Sequence, residues 1–124
     1  MSGERVQKVT VFVTHGTEDP ERATLPFLMG NAALVEGHES VVILQGPGVF
    51  LAKKGIAEHV FGATLPALSE QIASFIGGGG RLLVCTPCLK ERKIEPDELI
   101  DGVELTHAGH VIKEVTGSTA TLNY

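Results

Sequence analysis

The sequence predicts an α/β protein: a three-layer sandwich with a mostly parallel sheet of about five strands and helices on both faces. Two observations carry that prediction. Short β-branched or wholly apolar runs alternate with longer stretches whose apolar residues recur every three or four positions. The run Val41-Val42-Ile43-Leu44 is apolar on both sides, as a strand buried between two layers must be. Strands and helices in this alternation form right-handed parallel crossovers, which set helices against the sheet.

Val9, Val11 and Val13 alternate with Thr10, Phe12 and Thr14 and stop at His15-Gly16, which predicts a first, central strand. Asp19-Pro20-Glu21 supplies a capping side chain, a proline suited to a first helical turn and an acid near the helix start. A helix is therefore expected towards Val35, ending before Gly37, with Pro26 kinking it or marking its true start. The second strand is expected over 40–45, broken by Gly46-Pro47-Gly48, and followed by a short helix over 50–55 and a loop through Gly62. Residues 66–76 predict the second long helix, with Leu65, Leu68, Ile72, Phe75 and Ile76 on the face that packs on the sheet. Glycines 77–80 turn the chain into Arg81-Leu82-Leu83-Val84, a third strand running directly into Cys85. Residues 87–93 read as one or two helical turns, and Pro96 opens another short helical stretch. Val103-Glu104-Leu105 is a brief fourth strand. Thr106 is expected to cap a last helix through Val115, closed by Gly117, and residues 118–124 make the final strand.

At 124 residues the chain is read as a single domain over 1–124, without repeats or low-complexity linkers. With 43% hydrophobic and 20% charged residues it has the means to bury a core, which excludes disorder. Ten Lys and Arg against fifteen Asp and Glu give a net charge of −5, so neither nucleic acid nor an anionic membrane is expected as a partner. The charged opening residues, and the lack of any apolar run near the roughly 18 residues of a spanning helix, predict a cytoplasmic protein. Mean hydropathy is +0.17. Phe27, Leu28, Met29, Phe50, Leu51 and Phe61 exceed what one small sheet buries, so apolar surface is expected to remain for partner subunits.

In open parallel sheets the ligand crevice lies beyond the carboxyl ends of the strands, where the loops 15–19, 45–48 and 85–88 should converge. The last of these is Cys85-Thr86-Pro87-Cys88. Two cysteines make no disulfide framework, so reduced or catalytic thiols are expected. Unpaired N–H groups at a helix start favour an anion, and Lys90, Arg92 and Lys93 follow, which predicts for Cys85 a thiol pKa below the usual value of about 8.5. The plainer reading is a small buried hydrophobe.

Three chemistries compete. A dithiol oxidoreductase uses C-x-x-C at a helix start, though usually after an early strand. A zinc site would recruit His107 and His110, whose spacing from Cys88 misses the usual finger pattern, so no metal is expected. A persulfide carrier accepts sulfane sulfur on one thiolate and gives it up to another, and needs one activated cysteine and no cofactor. His15, ending the first strand, is a candidate proton donor or acceptor beside Cys85, or else a loop histidine bonded to backbone. His38 and His59 read as surface. Gly46-Pro47-Gly48 and the glycines 77–80 lack the context of a nucleotide-binding loop.

The frame Leu82-Leu83-Val84-Cys85-Thr86-Pro87-Cys88-Leu89-Lys90-Glu91-Arg92-Lys93-Ile94, with Asp97-Glu98-Leu99-Ile100-Asp101-Gly102-Val103-Glu104 after it, resembles the cysteine segment of the DsrE/DsrF-like sulfur-relay family. Phe12-Val13-Thr14-His15-Gly16, Asp19-Pro20-Glu21-Arg22-Ala23 and Gly48-Val49-Phe50-Leu51-Ala52-Lys53-Lys54-Gly55 are similar to it as well, in the same order. The resemblance implies a small α/β protein assembling as homotrimers or homohexamers. Its cysteine after strand three, by position Cys85, would carry sulfur between donor and acceptor proteins. Many members of that family continue Arg-Gly where this chain has Arg92-Lys93, and many lack a second cysteine. The leading expectation is thus a sulfur-trafficking protein with Cys85 as the persulfide bearer, with Cys88 resolving or shielding it. The alternatives are a dithiol oxidoreductase using both cysteines and a non-catalytic oligomeric subunit with inert thiols.

Overall fold

The computed structural model describes residues 5–124. Five strands form its centre: β1 (Lys8–Val13), β2 (Glu39–Leu44), β3 (Arg81–Cys85), β4 (Val103–Thr106) and β5 (Ala120–Asn123). Every pairing is parallel, in the order β4-β3-β2-β1-β5. Four helices connect them: α1 (Pro20–Val35), α2 (Leu68–Gly77), α3 (Thr86–Glu91) and α4 (Ala108–Thr116).

This order decides where the helices go. From β1 to β4 the chain steps one way across the sheet, so right-handed crossovers put α1 and α2 on one face. From β4 it returns to the far side of β1, and the same handedness carries α4 over the opposite face. The product is the expected three-layer α/β sandwich, with two unequal outer layers.

The thicker side holds the main core. Val11, Val13, Val42, Leu44, Leu82 and Val84 point into it and meet Phe27 of α1 and Leu68, Ile72 and Phe75 of α2. The Phe27 and Phe75 rings pack edge to face at 5.9 Å, an arrangement worth about 1 kcal/mol beyond the area buried. Under α4 a smaller cluster of Val41, Ile43, Leu83 and Val111 suffices.

A charged group completes the thin side. Glu114 of α4, 6% exposed, lies among the side chains of Lys8, Arg81 and His110. It accepts from Lys8 Nζ at 2.6 Å, from Arg81 Nη1 and Nη2 at 2.9 and 2.8 Å, and pairs with His110 Nε2 at 2.8 Å. Hydrogen bonds from Arg81, and then from Lys8, overcome the cost of burial and hold its carboxyl at a pKa of about 2. Arg81 also reaches Glu104 at 3.0 and 3.1 Å, so β1, β3, β4 and α4 are tied through one cluster.

Several boundaries and roles differ from the sequence reading. Asp19 caps α1 through Arg22 N–H at 3.1 Å, but Pro26 neither starts nor ends the helix; it lies inside, buried against the core. The glycines and proline at 46–48 do not simply break β2: they open a 3-10 turn, Gly46–Ala52, four residues earlier than the helix expected there. A second turn, Ala57–His59, falls in the expected loop. His107, not Thr106, occupies the cap position of α4, because Thr106 remains in β4 and its hydroxyl pairs with His110 Nδ1 at 2.8 Å. Phe27 and Leu51, counted as surplus apolar residues, are fully buried by α1 and the 46–52 turn, whereas Met29 and Phe61 remain 40% and 61% exposed.

Candidate functional site

β3 ends on Cys85, and the chain turns at once into α3, a helix of six residues with Pro87 in its first turn. The Cys85 side chain acts as the cap: Cys88 N–H donates to Cys85 Sγ at 3.4 Å. One helical turn separates the two cysteines, which brings their sulfurs together with Cys88 Sγ donating to Cys85 Sγ at 2.6 Å. Both thiols are free and half-buried, packed on the edge of the main core.

A neighbouring loop holds the second sulfur. Gly46, with φ of +53°, begins the turn after β2 and directs its N–H to Cys88 Sγ at 3.3 Å. This position is fixed by the loop's fit against β1. A side chain on Gly48 would bring its Cβ to 2.5 Å from the Val13 carbonyl oxygen, and one on Gly16 would overlap the Pro47 carbonyl. The three loops expected at the carboxyl ends of the strands therefore touch in sequence, 16 against 47 and 46 against 88.

His15 pairs with a side chain of its own loop. Its Nδ1 pairs with Glu18 Oε2 at 2.8 Å, while Glu18 Oε1 accepts Gly16 N–H at 2.6 Å, so the histidine shapes its own loop. The resulting bonds from His15 and Gly16 lower the Glu18 carboxyl pKa against the opposing effect of burial. Two other histidines have structural partners too. His38 Nδ1 accepts Gln7 N–H at 3.0 Å, and His110 is shared between Thr106 and Glu114.

Electrostatics at Cys85 overturn one expectation. Burial pushes its thiol pKa above the ordinary value, the Cys88 thiol adds to the rise, and Cys88 N–H and the Arg92 guanidinium only offset them. The sequence counted three cations in the segment; Lys90 and Lys93 are exposed, and Arg92 is anchored at 3.1 Å on the Cys88 carbonyl. A short helix start and one nearby guanidinium do not outweigh desolvation here. Gly46 was missed as a contributor because its N–H is invisible in a sequence; the Gly-Pro-Gly run was the available signal.

α3 closes with Ile94 N–H on the Leu89 carbonyl at 3.0 Å and Lys93 N–H on the Lys90 carbonyl at 3.1 Å. Lys93 consequently has φ of +55°, a conformation that favours glycine. Beside this turn lies a cleft of about 370 Å³, lined by Thr86, Leu89, Lys90, Lys93, Ile94 and Leu105 among others.

The profile of the DsrE/DsrF-like family matches residues 7–124, a span that takes in the sheet, both cysteines and every loop at their end. The chain belongs to the DsrE/DsrF-like family. Membership supports a sulfur-relay type of role at the level of the family. Among relatives, the chain is 33% identical over 102 residues to the uncharacterized protein MK0008 of Methanopyrus kandleri, covering 82% of this chain and 81% of the relative. It is 30% identical over 117 residues to the uncharacterized protein MJ0989 of Methanocaldococcus jannaschii, covering 94% and 99%. The crystal structure of the YchN protein from E. coli superposes with a TM-score of 0.81 at 15% identity, over 96% of this chain and all of that one. MTH1491 of Methanobacterium thermoautotrophicum gives 0.71 at 18% identity, over 95% and 99%. At those identities the two structures show the DsrE-like fold alone. Among the described residues, no helix is long and apolar enough to cross a membrane.

Proposed function

We propose that this protein traffics sulfur, with Cys85 accepting a sulfane sulfur atom as a persulfide and giving it to an acceptor protein. The observation that carries the reading is the placement of Cys85: half-buried at the carboxyl end of β3, inside the matched family span, with the loop after β2 bonded to its neighbour Cys88. In loading, the Cys85 thiolate attacks the outer sulfur of a donor persulfide or polysulfide, forming Cys85–S–SH and expelling the donor thiolate. Delivery is the same exchange run onto an acceptor thiolate, so the chemistry needs thiols and no cofactor or metal. Burial pushes the Cys85 thiol up, so loading requires its proton to be drawn off as a donor docks.

Donor and acceptor proteins are the partners this reading requires, in a cytoplasmic setting with reduced thiols. Assembly of one domain into a homotrimer or homohexamer fits the apolar side chains left outside, Met29, Phe61, Leu105 and Ile112. A dithiol oxidoreductase remains the second reading, favoured by the 2.6 Å separation of the sulfurs.

Intact mass separates them. Reduced protein mixed with a sulfane-sulfur donor should gain about 32 Da per persulfide in the Cys88→Ser variant and nothing in Cys85→Ser. Loss of the adduct from Cys88→Ser, with both thiols required for any turnover of a disulfide substrate, would instead identify the oxidoreductase.

A further inference from the structure

Cys88 is placed to do more than accompany a carrier. Resting on the persulfide reading above, we infer that this protein has a further activity: Cys88 discharges the Cys85 persulfide as sulfide, so that the chain converts sulfane sulfur to hydrogen sulfide when no acceptor takes it. The geometry is the argument. Cys88 Sγ lies 2.6 Å from Cys85 Sγ, the sulfur that becomes the inner atom of the persulfide. That atom is the one Cys88 reaches without moving the backbone; a docked acceptor takes the outer atom instead. Cys88 also has what an attacking sulfur needs, a fixed donor to steady its negative charge, in Gly46 N–H at 3.3 Å. Its place one turn into α3 is rigid, since α3 ends in a two-bond turn at Lys93 and Ile94, and Arg92 binds the Cys88 carbonyl.

The step balances without an outside oxidant. Cys88 loses its proton and its thiolate attacks Cys85 Sγ; the Cys85–S–SH bond breaks, a Cys85–Cys88 disulfide forms, and hydrosulfide leaves and takes up the proton. The two electrons that reduce the sulfane sulfur come from the two cysteine thiols, which end as a disulfide. A dithiol reductant then restores both thiols for another round. Transfer and discharge therefore compete for the same persulfide, and Cys88 sets how long an unclaimed sulfur atom stays on the protein.

The test uses the reduced full chain, inorganic tetrasulfide as the donor, and the variants Cys88→Ser, Cys88→Ala and Cys85→Ser. Acid-quenched samples are followed from the first seconds by intact mass, and sulfide is counted above the Cys85→Ser control. Wild type is expected to pass from an adduct of about 32 Da to a species about 2 Da lighter than the reduced chain, with about one sulfide released per chain. Both Cys88 variants should hold the adduct at least about tenfold longer and release correspondingly less sulfide. Using two replacements keeps a folding defect in either from deciding the result. Wild type holding the adduct as long as the Cys88 variants, or becoming lighter without shedding sulfide, overturns the discharge step and leaves the carrier standing. Absence of any adduct on the Cys88 variants, with no sulfide from wild type, overturns the carrier reading and the discharge with it.

Discussion

Gly16 leaves no room for a side chain against Pro47: a Cβ there would overlap the Pro47 carbonyl oxygen, and neither backbone has a flexible end with which to yield. The loop after β1 thereby presses the loop after β2 into the position from which Gly46 N–H reaches Cys88. Gly16→Ala should lower stability by about 2 kcal/mol through the forced shift, and should also change Cys88 reactivity although residue 16 touches neither cysteine. Denaturant unfolding and timed alkylation with mass mapping measure the two effects. Wild-type alkylation in a destabilised Gly16→Ala protein would break the proposed mechanical link.

Cys85 should alkylate more slowly at pH 7 than an unperturbed thiol, with a midpoint above that of free cysteine. Burial is the main cause, so Cys88→Ser should bring the midpoint down only part of the way by removing the neighbouring thiol, and Arg92→Ala should raise it by removing the offsetting charge. Rate against pH, read at Cys85 by peptide mass, gives all three values. A midpoint below that of free cysteine in wild type would return the site to the activated thiolate expected from sequence.

Glu114 should be the main acid-sensitive group of the fold. Its carboxyl pKa is depressed to about 2, so the stability it contributes is complete above about 4.5, the unperturbed value, and is lost as pH falls from there through 2. The shift corresponds to roughly 2–3 kcal/mol once the exposure of Arg81 is allowed for. Glu114→Gln should cost a similar amount at pH 7 and converge with wild type near pH 2, a comparison that denaturant titrations at several pH values make directly.

Lys93→Gly should stabilise the protein by about 0.5–1 kcal/mol, because residue 93 has a positive φ that a side chain opposes. The expected signature is a higher denaturation midpoint with an unchanged slope. Destabilisation would mean that the exposed lysine side chain makes a contribution larger than the strain it causes.

Much of the architecture was legible because five apolar runs and the helices between them are written in periodicity, and each strand appears within a residue or two of its expected place. The strand order was not: nothing in the composition of residues 118–124 says that they pair with β1 at the sheet's other side. At the site, Cys85 at the end of β3 could be read directly from Arg81-Leu82-Leu83-Val84 running into it. The direction of its pKa could not, since Lys90, Arg92 and Lys93 are close in sequence yet two of them face solvent, and burial depends on residues from elsewhere in the chain. The bond from His15 to Glu18, three residues on, was not legible either, since the turn that brings the two side chains together is set by the fold of the loop.

The β1–β5 pairing has a consequence for the order of events during synthesis. Thr14 meets the backbone of Tyr124 across 110 residues of sequence, and β5 pairs with β1 on the side away from β2. The β1-to-β4 half, with α1 and α2, is able to close its core by successive short-range crossovers while the chain is still being made. Until the last strand emerges, however, β1 keeps an open edge and the face bearing Val41, Ile43 and Leu83 lacks its cover. A nascent chain thus passes through a stage in which the half of the fold that holds both cysteines is formed and the opposite face is still bare, which makes that face, and not the thiol loop, the part a ribosome-associated chaperone would have reason to shield.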